Sequence, residues 1–159
     1  PNQESAAASE ETKEKAWKAS PAKERKRRSL YMMTKRHLLS PLMTAFDFPN
    51  TERPCGKRDV TTVAPQALSL LNNTFVHERS ERLAKDVMQA SDEVDDQIKL
   101  AWRRVLRRDP SPQERQWAKI HIDQQTTHFT ARSAENPDFL AFASLCHGLI
   151  NSNEFLYVD

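Results

Sequence analysis

The amino-acid sequence predicts a mostly α fold, a single compact orthogonal bundle of about six short helices with room for a small two-stranded sheet. Three observations carry that expectation. Apolar residues recur at steps of three and four through residues 61–150, the spacing that lines one face of a helix. Helix-start signals, a small polar residue followed by proline, recur at Ser40-Pro41, Ser111-Pro112 and Asn136-Pro137. With only 2 glycines in 159 residues, the chain lacks the turns of a hairpin-rich β protein and the Gly-rich loops that cradle phosphates.

At 159 residues, 38% hydrophobic and 29% charged, the chain can build one cored domain, which at this size buries about 68–70% of the unfolded-state surface. The expected organisation is a polar leader over residues 1–26 and a helical domain over 27–159. Glu10, Glu11 and Glu14 lie near Lys13, Lys15 and Lys18 in that leader, and Trp17 is its large apolar residue. A chain that opens Pro1-Asn2-Gln3, with neither a signal peptide nor a run of about 18 apolar residues, is expected to be a piece of a longer protein.

The ambiguous run Leu30-Tyr31-Met32-Met33 reads as a strand. Ser40-Pro41 opens a short helix carrying Leu42, Met43 and Phe46 that stops before Pro49, and residues 49–59 read as an exposed loop. The central stretch is Thr61 to Val76, where Val63, Ala67, Leu70 and Leu71 share a face and are expected in the core. Asn72-Asn73 breaks that helix, by the left-handed conformation asparagine tolerates or by bonding its own backbone, and a second helix restarts near Thr74.

The helix over Phe75 to Gln89 is expected to bury Val76, Leu83, Val87 and Met88, with Glu78 against Arg82 and Glu81 against Lys85 on its solvated face. Ser91 is expected to cap the next helix, whose stripe is Val94, Ile98, Ala101, Trp102, Val105 and Leu106. Asp92 and Glu93 complement the start of its dipole, and Arg107 and Arg108 the end. Ser111 and Glu114 have capping-box spacing with proline at the first helical position, and the helix they open should turn Trp117, Ile120, His121 and Phe129 inward. Pro137 begins a last helix that is apolar around most of its circumference and therefore central. Asn151, Ser152 and Asn153 stop it, and Phe155 to Val158 is expected to pair with Leu30 to Met33.

Charge and motifs exclude more than they assign. Residues 1–60 carry 13 Lys/Arg against 8 Asp/Glu, and residues 61–159 carry 11 against 14. The basic run Lys23 to Arg28 has no aromatic-interleaved groove beside it, so no nucleic-acid partner is expected. His121 and His128, two turns apart, need a third ligand to hold a metal, and His37, His77 and His147 show no zinc-type spacing, so no metal is expected. Cys146 and His147 are adjacent on a helix and point about 100° apart, which disfavours a thiolate–imidazole pair. Cys55 and Cys146 are open to one bridge or to two thiols. Asp47, between Phe46 and Phe48, should be partly buried against a cation or an N–H, either as a tie between helix and loop or as a site carboxylate.

The segments RRSLYMMTKR, AFDFPN, TTVAPQALSLLNNTFV, RRDPSPQE and LCHGLINSNEFLYVD, in that order from Arg27 to Asp159, resemble a C-terminal domain of unknown function of planctomycete-type cytochrome-c-associated multidomain proteins. The resemblance implies an extracytoplasmic setting, periplasmic or secreted, in a bacterium that degrades complex polysaccharides. It also implies a parent that carries haem c elsewhere, with no cofactor in this segment. Its candidate ligand-binding positions are Arg28, Tyr31, Lys35, Arg36, Asp47, Gln66, Asn72, Asn73, Asn153 and Glu154. Two readings follow. One is a non-catalytic helical module that docks on neighbouring domains of its parent. The other is a polysaccharide-binding or polysaccharide-degrading domain with a polar site around Asp47, Asn72 and Glu154, since amides, carboxylates and aromatics suit sugar hydroxyls.

Overall fold

The computed structural model describes residues 64–157, together with residues 21, 31, 43, 45–49, 55 and 56. It divides the chain into two compact units, Pro1–Gln66 and Ala67–Asp159. Among the described residues the fold is mostly α, with six helices and no strand: α1 (Ala64–Leu71), α2 (Thr74–Met88), α3 (Val94–Val105), α4 (Pro112–Ala131), α5 (Pro137–Ile150) and α6 (Asn153–Leu156).

In the first unit, Met43 and Ala45 are helical as expected, and the helix closes by a defined C-terminal device. The Phe46 and Phe48 amides both donate to the Met43 carbonyl, at 3.1 and 3.0 Å, and Asp47 between them is left-handed at φ 55°. The six-to-one bond around a left-handed residue is the Schellman arrangement, with aspartate where glycine is usual. Tyr31 lies in a 3₁₀ turn and is exposed, not in the expected strand. The expectations for Trp17, Leu30, Met32 and Met33 fall outside the described residues.

The second unit is built around α5. Ala141, Phe142, Ala143, Leu145, Cys146 and Leu149 are buried, so the helix is apolar around most of its circumference and central, as its composition predicts. It lies against α2 along one side and α4 along another. The helix α2 meets it with Val76, Ser80, Ala84 and Val87, a stripe at helical spacing in which small residues permit close approach. The Ser80 hydroxyl bonds back to the Val76 carbonyl at 2.8 Å, so this buried polar group is satisfied within its own helix. Ile98, Ala101 and Trp102 of α3 complete the core.

The helix boundaries follow local chemistry. The full capping box forms at α4: Ser111 Oγ accepts from the Glu114 amide at 3.2 Å, and Glu114 Oε2 accepts from the Ser111 amide at 2.7 Å. The α1–α2 break falls at Asn72-Asn73, but not by a left-handed residue. Asn73 is extended (φ −81°, ψ 119°) and caps α2 through Oδ1, 2.9 Å from the Phe75 amide. In the second unit the left-handed positions are instead Arg107, which ends α3, Ser133 after α4, and Asn136 before α5.

Several expectations are corrected. The cap of α3 is Glu93, not Ser91; Ser91 Oγ accepts from the Glu93 amide, and its carbonyl is held by the Gln97 side chain at 2.7 Å. The acids of the first turn are therefore Asp95 and Asp96, the bases of the last are Arg103 and Arg104, and Val94 is exposed. Arg82 pairs with Asp86 at 3.0 Å, not with Glu78. Trp117 is 66% exposed and Ile120 is also exposed, because α4 turns Ala118 and Ile122 inward and Trp117 lies about 100° away around the helix. Leu71 of α1 is 42% exposed and Leu70 half-buried, so the short central helix does not supply the interior; α5 does. A helical turn over Asn153–Leu156, capped by Ser152, takes Phe155 and Leu156 out of the strand expected over Phe155 to Val158, whose last residue lies outside the described ones.

Candidate functional site

The polar residues singled out by the sequence go to separate places. Asn72 donates from Nδ2 to the Leu68 carbonyl at 3.1 Å, and Asn73 caps α2; both amides serve helix ends. Gln66 is buried at 2% exposure, Asp47 is half-buried as expected, and Tyr31 is exposed. Asn153 is exposed, and its carbonyl accepts from the Tyr157 amide. Arg28, Lys35 and Arg36 lie outside the described residues.

Glu154 belongs to the densest electrostatic feature of the second unit. The Arg108 guanidinium holds two carboxylates at once: Nη1 and Nη2 reach Glu114 at 2.8 and 2.6 Å, and Nε and Nη2 reach Glu154 at 2.6 and 2.7 Å. Its Nη1 also donates to the Asp109 carbonyl. Such paired, two-pronged bonds are the geometry a planar guanidinium makes best. Their effect on titration is consistent from all sides. The bonds to Glu114 and then Glu154 raise the affinity of Arg108 for its proton, while Arg108 lowers Glu154 and holds Glu114 at about 2. Arg108, in the loop before α4, thus ties the capping-box residue Glu114 to the one-turn helix α6. The sequence reading had placed Arg108 only as a helix-end charge.

Two other polar contacts cross between helices on α5. His121 of α4 lies 3.1 Å from the Ser144 hydroxyl, and burial lowers its proton affinity. His77 of α2 stacks on His147 of α5, with ring centroids 4.2 Å apart and planes 17° apart. Nothing local in the sequence signals either contact. Cys146 is a fully buried free thiol whose ionisation burial pushes up to about 12, so it packs as a small hydrophobe and is not a nucleophile. Among the described residues no group of three or more His, Cys, Asp or Glu side chains is placed to hold a metal ion, and no helix is long and apolar enough to cross a membrane.

The apolar surface is the other notable feature. Leu68 (57% exposed), Leu71 and Phe75 (46% exposed) follow one another from α1 into α2, and Arg79 lies over the Phe75 ring at 5.2 Å. Trp117 and Ile120 stand three residues apart on the outer side of α4.

Fold and polar arrangement together define, among the described residues, a helical-bundle protein in which Arg108 is spent on the start of α4 and on α6. The chain belongs to the family described as Protein of unknown function (DUF1553), whose model matches residues 1–122. The match begins at the first residue and so takes in the polar leader, and it ends within α4, before α5 and α6. No curated protein and no solved structure matches the chain significantly.

Proposed function

We propose that this chain is a non-catalytic helical docking module of a larger bacterial protein, and that it binds the neighbouring domains of its parent. The observation that carries this reading is the row Leu68, Leu71 and Phe75, large apolar side chains left in solvent beside a well-filled core. In support, Asn72, Asn73 and Glu154 spend their hydrogen bonds on Leu68, Phe75 and Arg108, so a sugar would have to displace internal partners. The wider setting rests on the motif resemblance alone: an exported, extracytoplasmic parent of planctomycete type, associated with cytochrome c and carrying haem c outside this segment.

The test is binding of this chain to the remaining domains of its parent, measured by calorimetry, with Leu68→Glu and Phe75→Glu as variants. Expected is binding that each variant weakens by tenfold or more, about 1.4 kcal/mol, with unchanged circular dichroism. Absence of binding, or binding indifferent to both changes, overturns the reading. A glycan array run on the same protein addresses the alternative: polysaccharide binding lost on Asp47→Ala or Glu154→Gln would replace the docking module by a carbohydrate site.

A further inference from the structure

The helices α2 and α5 are joined, within their shared face, by a pair of titratable rings. The imidazoles of His77 and His147 stack at 4.2 Å. Two neutral imidazoles stack favourably, and a neutral ring also accepts a protonated one against its π face. Two imidazolium ions at that separation repel, and they repel more where water is partly excluded. His147 is half-buried, and its Nε2 atom is buried with no hydrogen-bond partner, as is Oδ1 of Asn151 one turn further along α5. Burial first, and the neighbouring His77 second, hold the protonation of His147 below its ordinary value of 6.5.

Of the charged groups on the surrounding elements, Glu81 lies one turn beyond His77 on α2, exposed to water, and the following are paired with one another. On α2, Glu78 leans toward Arg79 and Arg82 pairs with Asp86. On α4, His121 is bonded to Ser144, and on α6, Glu154 is held by Arg108. The helix α3 turns Ile98, Ala101 and Trp102 inward and keeps Asp95 and Asp96 on Lys119 and Lys99. Among the described residues no carboxylate acts on His147, whose protonation is disfavoured by burial and by His77, so a second proton placed there is uncompensated.

We propose that the His77–His147 stack is a proton-sensitive fastener between α2 and α5, which holds while the pair carries at most one proton and loosens when acidification adds the second. The unfolded chain takes up that proton more readily than the folded one. The contribution is thus fully present above the ordinary value of 6.5 and is lost as pH falls from there through the lower folded-state value of His147.

The experiment follows thermal unfolding of the whole chain against pH, for the natural sequence and for His77→Phe, which keeps an aromatic ring on His147 but removes one proton site. His77 is exposed, so the change does not disturb the core. Expected is a fall in Tm between about pH 7.5 and pH 5 that exceeds that of the variant by about 2–4 °C. In parallel, NMR titration of the imidazole protons in the unaltered chain should give His147 a midpoint below 6.5, and that midpoint should rise in His77→Phe. Parallel Tm curves for the two proteins overturn the proposal, and so does a His147 midpoint at or above 6.5 in the unaltered chain, a result that needs no variant at all.

Discussion

Asp47 holds a backbone conformation that crowds a β-carbon, at φ 55°, and it does so where a helix must turn back through two bonds to one carbonyl. AFDFPN leads one to expect Asp47 either to tie helix to loop or to serve as a site carboxylate, and the backbone there closes the helix through two bonds to the Met43 carbonyl. Asp47→Ala should therefore cost about 1–2 kcal/mol in urea unfolding, whereas Asp47→Gly should be close to neutral. Equal loss in both would place the contribution in the carboxylate instead. The same reasoning applies with opposite sign at Arg107, exposed at φ 61°, where Arg107→Gly should raise stability by up to about 1 kcal/mol. Glu114 gives a prediction in pH. Its carboxyl is held at about 2 in the folded state against an ordinary 4.5, so its contribution is complete above 4.5 and is lost as pH falls from there toward 2. Glu114→Gln should flatten the stability curve in that window; an unchanged acid limb would show that Arg108 does not stabilise the ionised form. The Arg108 node itself was not readable from the chain, because its partner Glu154 lies 46 residues away and nothing within a few residues of either marks the pairing.

The helices of the second unit are readable to within a residue or two where a capping side chain or a proline marks the boundary. The Ser111–Glu114 box is the clearest case, since both of its bonds form between residues three apart. Ser111→Ala should destabilise the protein by about 1 kcal/mol, read as a lower urea midpoint at constant slope. Which face an element buries is a different matter. The sequence reading chose the large apolar residues of α4, and the helix buries the smallest one, Ala118. Ala118→Leu should accordingly cost about 1–3 kcal/mol by overpacking against its neighbours, while Trp117→Ala should change stability by no more than about 0.5 kcal/mol. The reverse order of effects would mean that α4 docks through its Trp117 side. At α1, likewise, Leu70 and Leu71 have helical spacing, yet Leu70 is half-buried and Leu71 exposed.

For the molecule as a whole, the interior of the second unit is one cluster drawn from α2, α3, α4 and α5, with Phe142 as its largest fully buried side chain. Phe142→Ala should cost about 3–5 kcal/mol, and should do so as a single cooperative loss monitored equally by circular dichroism and Trp102 fluorescence. Asn72, Asn73 and Glu154, candidates for ligand binding in the sequence, make hydrogen bonds with Leu68, Phe75 and Arg108. The sequence by itself determined the all-α class and the places where helices start and stop, because those depend on hydrogen bonds and backbone preferences spanning four residues or fewer. Only the tertiary structure decided which stripe of each helix is buried, that Arg108 gathers Glu114 and Glu154, and that His77 meets His147. Those outcomes depend on how helices far apart in the chain cross one another, and a small residue that permits close approach can outweigh a large one that merely favours burial.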